Sequence, residues 1–118
     1  MSDYRKLVVW LKAKDLAVAV YKIVRGPAMA REHALGDQLL RAAISIPSNI
    51  AEGYVRETPQ DRSHFLNIAR ASCAELETQL LIGEEVGLIL AADGEKLRQA
   101  SEAVSRLLYA LRARIRHE

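Results

Sequence analysis

Ser45, Ser48 and Asn49 stand within one turn of Pro47, in the stretch RAAISIPSNIAEGY from Arg41 to Tyr54. They are the residues that come nearest to a hydroxyl-rich active site. A hydroxyl nucleophile needs an adjacent base, and this stretch supplies none. A local structural role explains them more economically. Pro47 lacks an N–H and its ring crowds the carbonyl of Ala43, while Ser45, Ser48 and Asn49 are short enough to bond nearby backbone groups. Other chemistry-bearing residues are scattered. His33, His64 and His117 fall in a loop, at a helix start and in the C-terminal tail, and none pairs with Cys, His or a carboxylate at metal-ligand spacing. Glu75 and Glu77 are two apart and point to different faces of a helix; they are not the Glu-x-x-His motif of di-metal bundles. Glu84 and Glu85 read as a solvated pair. Cys73 has no nearby base pattern and reads as a small core residue. The six glycines form no phosphate-binding loop. The residues point to no enzyme, no cofactor and no metal.

The elements that carry these residues are helical. The first segment runs from Tyr4 to Arg25, with Leu7, Trp10, Ala13, Ala17, Val20 and Val24 at steps of three and four and with Leu11, Val18 and Tyr21 broadening the face. Gly26-Pro27 ends it. The second starts near Leu35. Its apolar stripe, Leu35, Leu39, Ala43, Ile46, Ile50 and Tyr54, keeps its phase through Pro47, and so does the polar stripe Arg41, Ser45, Ser48 and Glu52. This predicts one helix kinked at Pro47 and ending at Gly53 in a left-handed terminus. The alternative is a new short helix capped by Ser45. The third segment opens with Thr58 as a cap and Pro59 at the first helical position. It continues along Phe65, Ala69, Ser72, Leu76, Leu80 and Gly83 to a stop at Gly87. The fourth begins near Asp93 and carries the stripe Leu97, Ala100, Val104, Leu107, Leu111 and Ile115, flanked by Leu108. Four helices joined by short connections predict an all-α, antiparallel up-down-up-down bundle.

A chain of 118 residues, half of them apolar but only 5% aromatic, fits one domain over 1–118 with an ordinary core. A single cysteine excludes an internal disulfide and suits a reducing compartment. The charged N-terminus does not read as a signal peptide, and no apolar run approaches the roughly 20 residues of a membrane span. A cytoplasmic location is expected. The net charge of +2 is unevenly spread. Residues 1–25 carry six basic and two acidic side chains, whereas residues 57–90 carry two basic and six acidic. Such segments complement each other within a bundle or between subunits. Lys12, Lys14 and Lys22 on the first helix, with Arg106, Arg112, Arg114 and Arg116 on the last, are the candidate nucleic-acid contacts.

The apolar faces are wider than one bundle needs. Leu7 to Leu11 are consecutive apolar residues, and Leu80-Leu81-Ile82 points in several directions. A helix apolar on several sides is buried by several neighbours, so self-association is expected, with Val8, Trp10 and Leu11 as candidate interface residues and parts of the second helix contributing. Arg41, Ser45 and Glu52 are candidates to line any central channel.

SIPSNIAEGY (Ser45–Tyr54), preceded by QLLRAA (Gln38–Ala43), resembles the signature of a family of small bacterial four-helix bundle proteins. That family includes proteins encoded in intervening sequences of large-subunit ribosomal RNA genes and accessory proteins of diversity-generating retroelements. The resemblance extends to VWLKAKDLAVAVYKI (Val9–Ile23) and FLNIARASCAELETQLLIGEEVGLI (Phe65–Ile89). It implies an antiparallel four-helix bundle assembled into a homopentameric ring, without enzyme activity; the expected role is a scaffold or adaptor, with a nucleic-acid-binding accessory protein as the alternative. For the retroelement branch it implies binding of nucleic acid and a reverse transcriptase through a strongly basic surface. This chain departs from that branch in its small net charge and its acidic third segment. Ser45, Pro47, Ser48, Asn49, Glu52 and Gly53 match the family motif and are read as structural.

Overall fold

The computed structural model describes residues 3–115. A short 3-10 turn, Tyr4–Lys6, precedes four helices: α1 Val8–Val24, α2 His33–Tyr54, α3 Pro59–Glu85 and α4 Ala91–Ile115. No strand occurs among the described residues. α1 packs on α2, α2 on α3 and α3 on α4, and α4 closes the square against α1; neither α1 with α3 nor α2 with α4 is in contact. Connections of four to eight residues force each helix to run back along its predecessor. The result is a rod of 46 × 21 × 19 Å, whose length follows from a 27-residue helix of roughly 40 Å.

The core is the shared interior of the square. Leu39, Ile46, Ile50, Leu76, Leu80 and Leu108 are fully buried, each worth about 1.5–3 kcal/mol of apolar transfer. Truncating one, such as Leu76→Ala, would add a cavity cost and remove about 2–5 kcal/mol. Ala13, Ala17, Ala42, Ala43 and Ala69 lie among them and let the backbones approach closely. Thr58 caps α3 by accepting the Asp61 N–H at Oγ1, 3.1 Å away. The α3–α4 turn is closed by the N–H groups of Leu88 and Ile89 on the Gly83 carbonyl, at 2.9 and 3.1 Å. Gly87 in that turn takes φ +79°, a value only glycine adopts without strain.

α2 is unbroken through Pro47, as its phase predicts, and Ser45 caps no new helix. Two boundaries and one helix face differ from the sequence reading. The first helix does not start at Tyr4. The Asp3 carboxylate accepts the Arg5 N–H at 2.9 Å and holds a separate 3-10 turn, after which Leu7 is extended and α1 begins at Val8. Gly53 is not a left-handed terminus: among the described residues only Gly87 has a positive φ, and α2 runs on to Tyr54. The α4 stripe is also turned. Leu108 is buried and Leu107 exposed, because the core-facing position in mid-helix is held by Ser101, a polar residue that apolar periodicity passes over.

Candidate functional site

Two part-buried polar ties join the helices. Ser45 and Ser72 share a hydrogen bond of 2.8 Å between their hydroxyls, joining α2 to α3. Asn49 donates its side-chain amide to the Ser45 carbonyl at 2.8 Å and to its hydroxyl at 2.9 Å. Of the residues around Pro47, Asn49 acts as a local backbone partner, while Ser45 acts across helices, which the sequence does not reveal. Ser48 and Glu52 face outward, as does Arg41, whereas Ser45 does not. Between α3 and α4, the Ser101 hydroxyl donates to Glu77 at 2.6 Å; the Cys73 carbonyl lies 3.3 Å from the same hydroxyl. One proton serves one strong acceptor, and the charged carboxylate wins.

This second tie places a serine, a carboxylate and a cysteine together, but it is not an activated nucleophile. Cys73 is fully buried. Burial pushes its thiol up to about 11, and the Glu77 carboxylate adds in the same direction. A reactive thiolate requires the opposite setting. No group of three or more His, Cys, Asp or Glu that could hold a metal ion occurs among the described residues. Gly53 is buried where α2 passes α3: a Cβ there would lie 3.0 Å from Phe65 Cβ and 3.2 Å from the Arg62 carbonyl. Its role in the motif is close approach.

The outer surface carries the feature best suited to function. α1 places Leu11, Lys14, Val18 and Tyr21 on one face at steps of three and four. Across from them α2 presents Ile44, with Pro47 at the floor of the groove. Lys22 completes the groove. Val18 is 45% exposed, Tyr21 42% and Ile44 49%. The basic groups lie at the edge: Lys14 pairs with Asp15 at 2.7 Å, and the Arg25 guanidinium stacks 5.0 Å over the Tyr21 ring. Of the interface candidates, Val8 and Leu11 are exposed and Trp10 is half-buried, edge-to-face with Tyr4 at 5.4 Å. Ile44 was not singled out by sequence, although the signal exists: it is an isoleucine beside Arg41 and Ser48 on the polar side of α2.

The basic candidates are not gathered into one stripe. Lys14 and Lys22 line the α1–α2 groove, and Lys12 is exposed on α1. Arg106 borders a cleft between α3 and α4 with Arg70 and Tyr109, and Arg112 borders another with His64 and Asn67. The α1–α2 and α3–α4 edges are opposite sides of the square. Arg114 lines a cavity of about 540 Å³ at the end of the bundle, with Leu7, Val55 and Ile115. Arg116 and His117 lie outside the described residues.

An all-α four-helix square held by part-buried hydroxyl ties and carrying an apolar outer groove defines a class of helical-bundle protein. Residues 5–110 match the family described as 23S rRNA-intervening sequence protein, and the chain belongs to that family. A crystal structure at 1.70 Å is similar: a protein of unknown function from the S23 ribosomal protein family of Bacteroides thetaiotaomicron VPI-5482. It is 25% identical, with a TM-score of 0.80 over 89% of this chain and 98% of that one. No curated protein matches.

Proposed function

We propose that this protein is a non-catalytic, self-assembling helical bundle. In this reading it forms a homo-oligomeric ring that serves as a scaffold or adaptor in the cytoplasm. The observation that carries the reading is the apolar surface running from Leu11 through Val18 and Tyr21 to Ile44. These side chains leave 41–49% of their surface uncovered in the monomer, over a core that is already closed. Contiguous exposed apolar surface of this kind marks an interaction site. The number of subunits, five, rests on the family resemblance. The buried, unactivated Cys73 thiol supports the non-catalytic part of the reading. A nucleic-acid-binding accessory role, with a reverse transcriptase as partner, has less support, because the basic residues are divided between opposite edges. Sedimentation velocity with light scattering at micromolar concentration is the test. The expected result is one closed species of about five subunits; a monodisperse monomer would overturn the proposal.

A further inference from the structure

We propose that the cavity at the end of the bundle binds a small organic anion with an apolar body, of the class of a medium-chain fatty acid. This site does not depend on self-assembly; it adds a ligand to the non-catalytic bundle.

The cavity exists because one corner of the square stops short. The start of α1, the end of α2, the start of α3 and the end of α4 meet at this end. α1 begins only at Val8, after the extended Leu7. The chain before it turns through Tyr4–Lys6, a segment that packs on α1 and α2 and touches neither α3 nor α4. The Asp3 carboxylate holds that turn through the Arg5 N–H, and Tyr4 stands edge-on to Trp10. Beyond Val8, α4 has no turn of α1 beside it. A cavity of about 540 Å³ opens there, between Leu7, the α2–α3 turn and the last turns of α4. That size lies within the roughly 300–1,000 Å³ of small-molecule sites.

Its walls are core side chains met end-on. Ile50 of α2, Leu66 of α3 and Ile115 of α4 line it and are buried. Leu7 and Leu111 line it half-buried and pack on the same core. An aliphatic chain entering here extends the core and leaves water.

The rim selects the sign of the head group. Arg56, Arg62 and Arg114 line the cavity against one carboxylate, Glu57. Arg56 pairs with Glu52, and Arg62 is anchored on the carbonyls of Arg56 and Glu57 at 3.0 and 3.1 Å. Asp61, in the first turn of α3, does not line the cavity. Even with Glu52 counted, three cations face two carboxylates. Arg114 is the group left to act: among the described residues it makes no hydrogen bond or ion pair. A guanidinium offers a planar fork of donors that fits a carboxylate. A carboxylate on Arg114 with its chain against Leu111, Leu66 and Ile50 satisfies rim and walls together.

The experiment is calorimetric titration of the full chain with three probes that share one tail: octanoate, 1-octanol and octylammonium. Octanoate is expected to bind once per subunit, 1-octanol at least tenfold more weakly, and octylammonium more weakly still. Arg114→Gln is expected to bring octanoate down to the affinity of 1-octanol and to leave 1-octanol unchanged. Val55→Trp, which fills the cavity from the α2–α3 turn, is expected to abolish both. Arg106→Gln removes the same charge at the α3–α4 edge and is expected to change neither. Circular dichroism and thermal melting confirm that each variant folds. In methyl NMR of the unaltered chain, octanoate is expected to shift Leu66, Leu111 and Ile115. No octanoate binding at millimolar concentration would overturn the proposal. So would equal affinity for the three probes, or an Arg114→Gln protein that binds octanoate like the unaltered chain.

Discussion

Cys73 shows how a residue with chemical potential is made inert. Its thiol lies at full burial beside Glu77 and Ser101, and its pKa stands near 11. In the unfolded chain the thiol ionises near 9.0. A folded pKa above the unfolded one means that the unfolded state loses its proton first. The associated stability is whole below about pH 9 and is lost as pH rises towards 11, by at most about 3 kcal/mol. Melting temperature followed from pH 7 to 11 should therefore fall more steeply for the native chain than for Cys73→Ala. A thiol reagent should modify Cys73 only at the rate of unfolding. Gly53 makes a second case. Alanine there gains up to about 1 kcal/mol of helix propensity but sets a Cβ against Phe65 Cβ and the Arg62 backbone, which cannot swing aside. Gly53→Ala should lose about 1 kcal/mol net, within the usual cost of overpacking. Gly83→Ala should cost at least as much, because a Cβ there would lie 2.5 Å from Cδ1 and 3.0 Å from Cγ1 of the buried Ile89. Denaturant titration of the two variants compares them directly.

At the scale of elements, α2 is the most informative. An interior proline costs a helix about 3 kcal/mol through a lost hydrogen bond and a steric clash. Here it is retained at a buried position that floors the outer groove. Replacing it restores an N–H for the Ala43 carbonyl and removes an apolar ring from the groove. Pro47→Ala should leave the thermal stability of the dissociated subunit unchanged or raise it by about 1 kcal/mol, while weakening self-association at least tenfold. Melting at low concentration and sedimentation at high concentration separate the two effects. A subunit destabilised by more than about 1 kcal/mol would show that the ring serves the core instead. α3 and α4 are tied by charge as well. Arg98 donates to Glu84 at 2.8 and 3.1 Å, and Gly94 is buried against that carboxylate with no room for a side chain. The Glu84 hydrogen bonds hold the Arg98 pKa above its ordinary value.

For the whole molecule, charge distribution governs what surfaces can meet. Six basic against two acidic groups in residues 1–25 and the reverse in residues 57–90 occupy diagonal corners of the square, so each subunit is electrostatically two-sided. No described helix is long and apolar enough to cross a membrane. Divided basic groups give few simultaneous phosphate contacts, and affinity for nucleic acid scales with that number. Binding to duplex or single-stranded nucleic acid should be weak at 50 mM salt and lost by 200 mM, with no sequence preference. Titration at those two salt concentrations measures this, and tight binding that survives the higher one would show that assembly gathers the basic patches into a continuous surface.

Periodicity alone determined the four helices, the Thr58-Pro59 start of α3 and the continuity of α2 through Pro47. Each depends on steps of three and four along a single helix and on local capping chemistry. The same reading misjudged Gly53 and put Leu107 on the core stripe with Leu108 only beside it. A glycine serves a left-handed terminus and a close helix approach equally well, and a buried serine carries no apolar signal. Tertiary structure decided those points. It also decided the pairing of Ser45 with Ser72, the pairing of Ser101 with Glu77, and the separation of the basic residues onto opposite edges. The physical reason is common to all of them. A helical pattern states where a side chain sits around its own axis. Which neighbour covers that side, and which side is left for solvent, depends on how the four axes pack together.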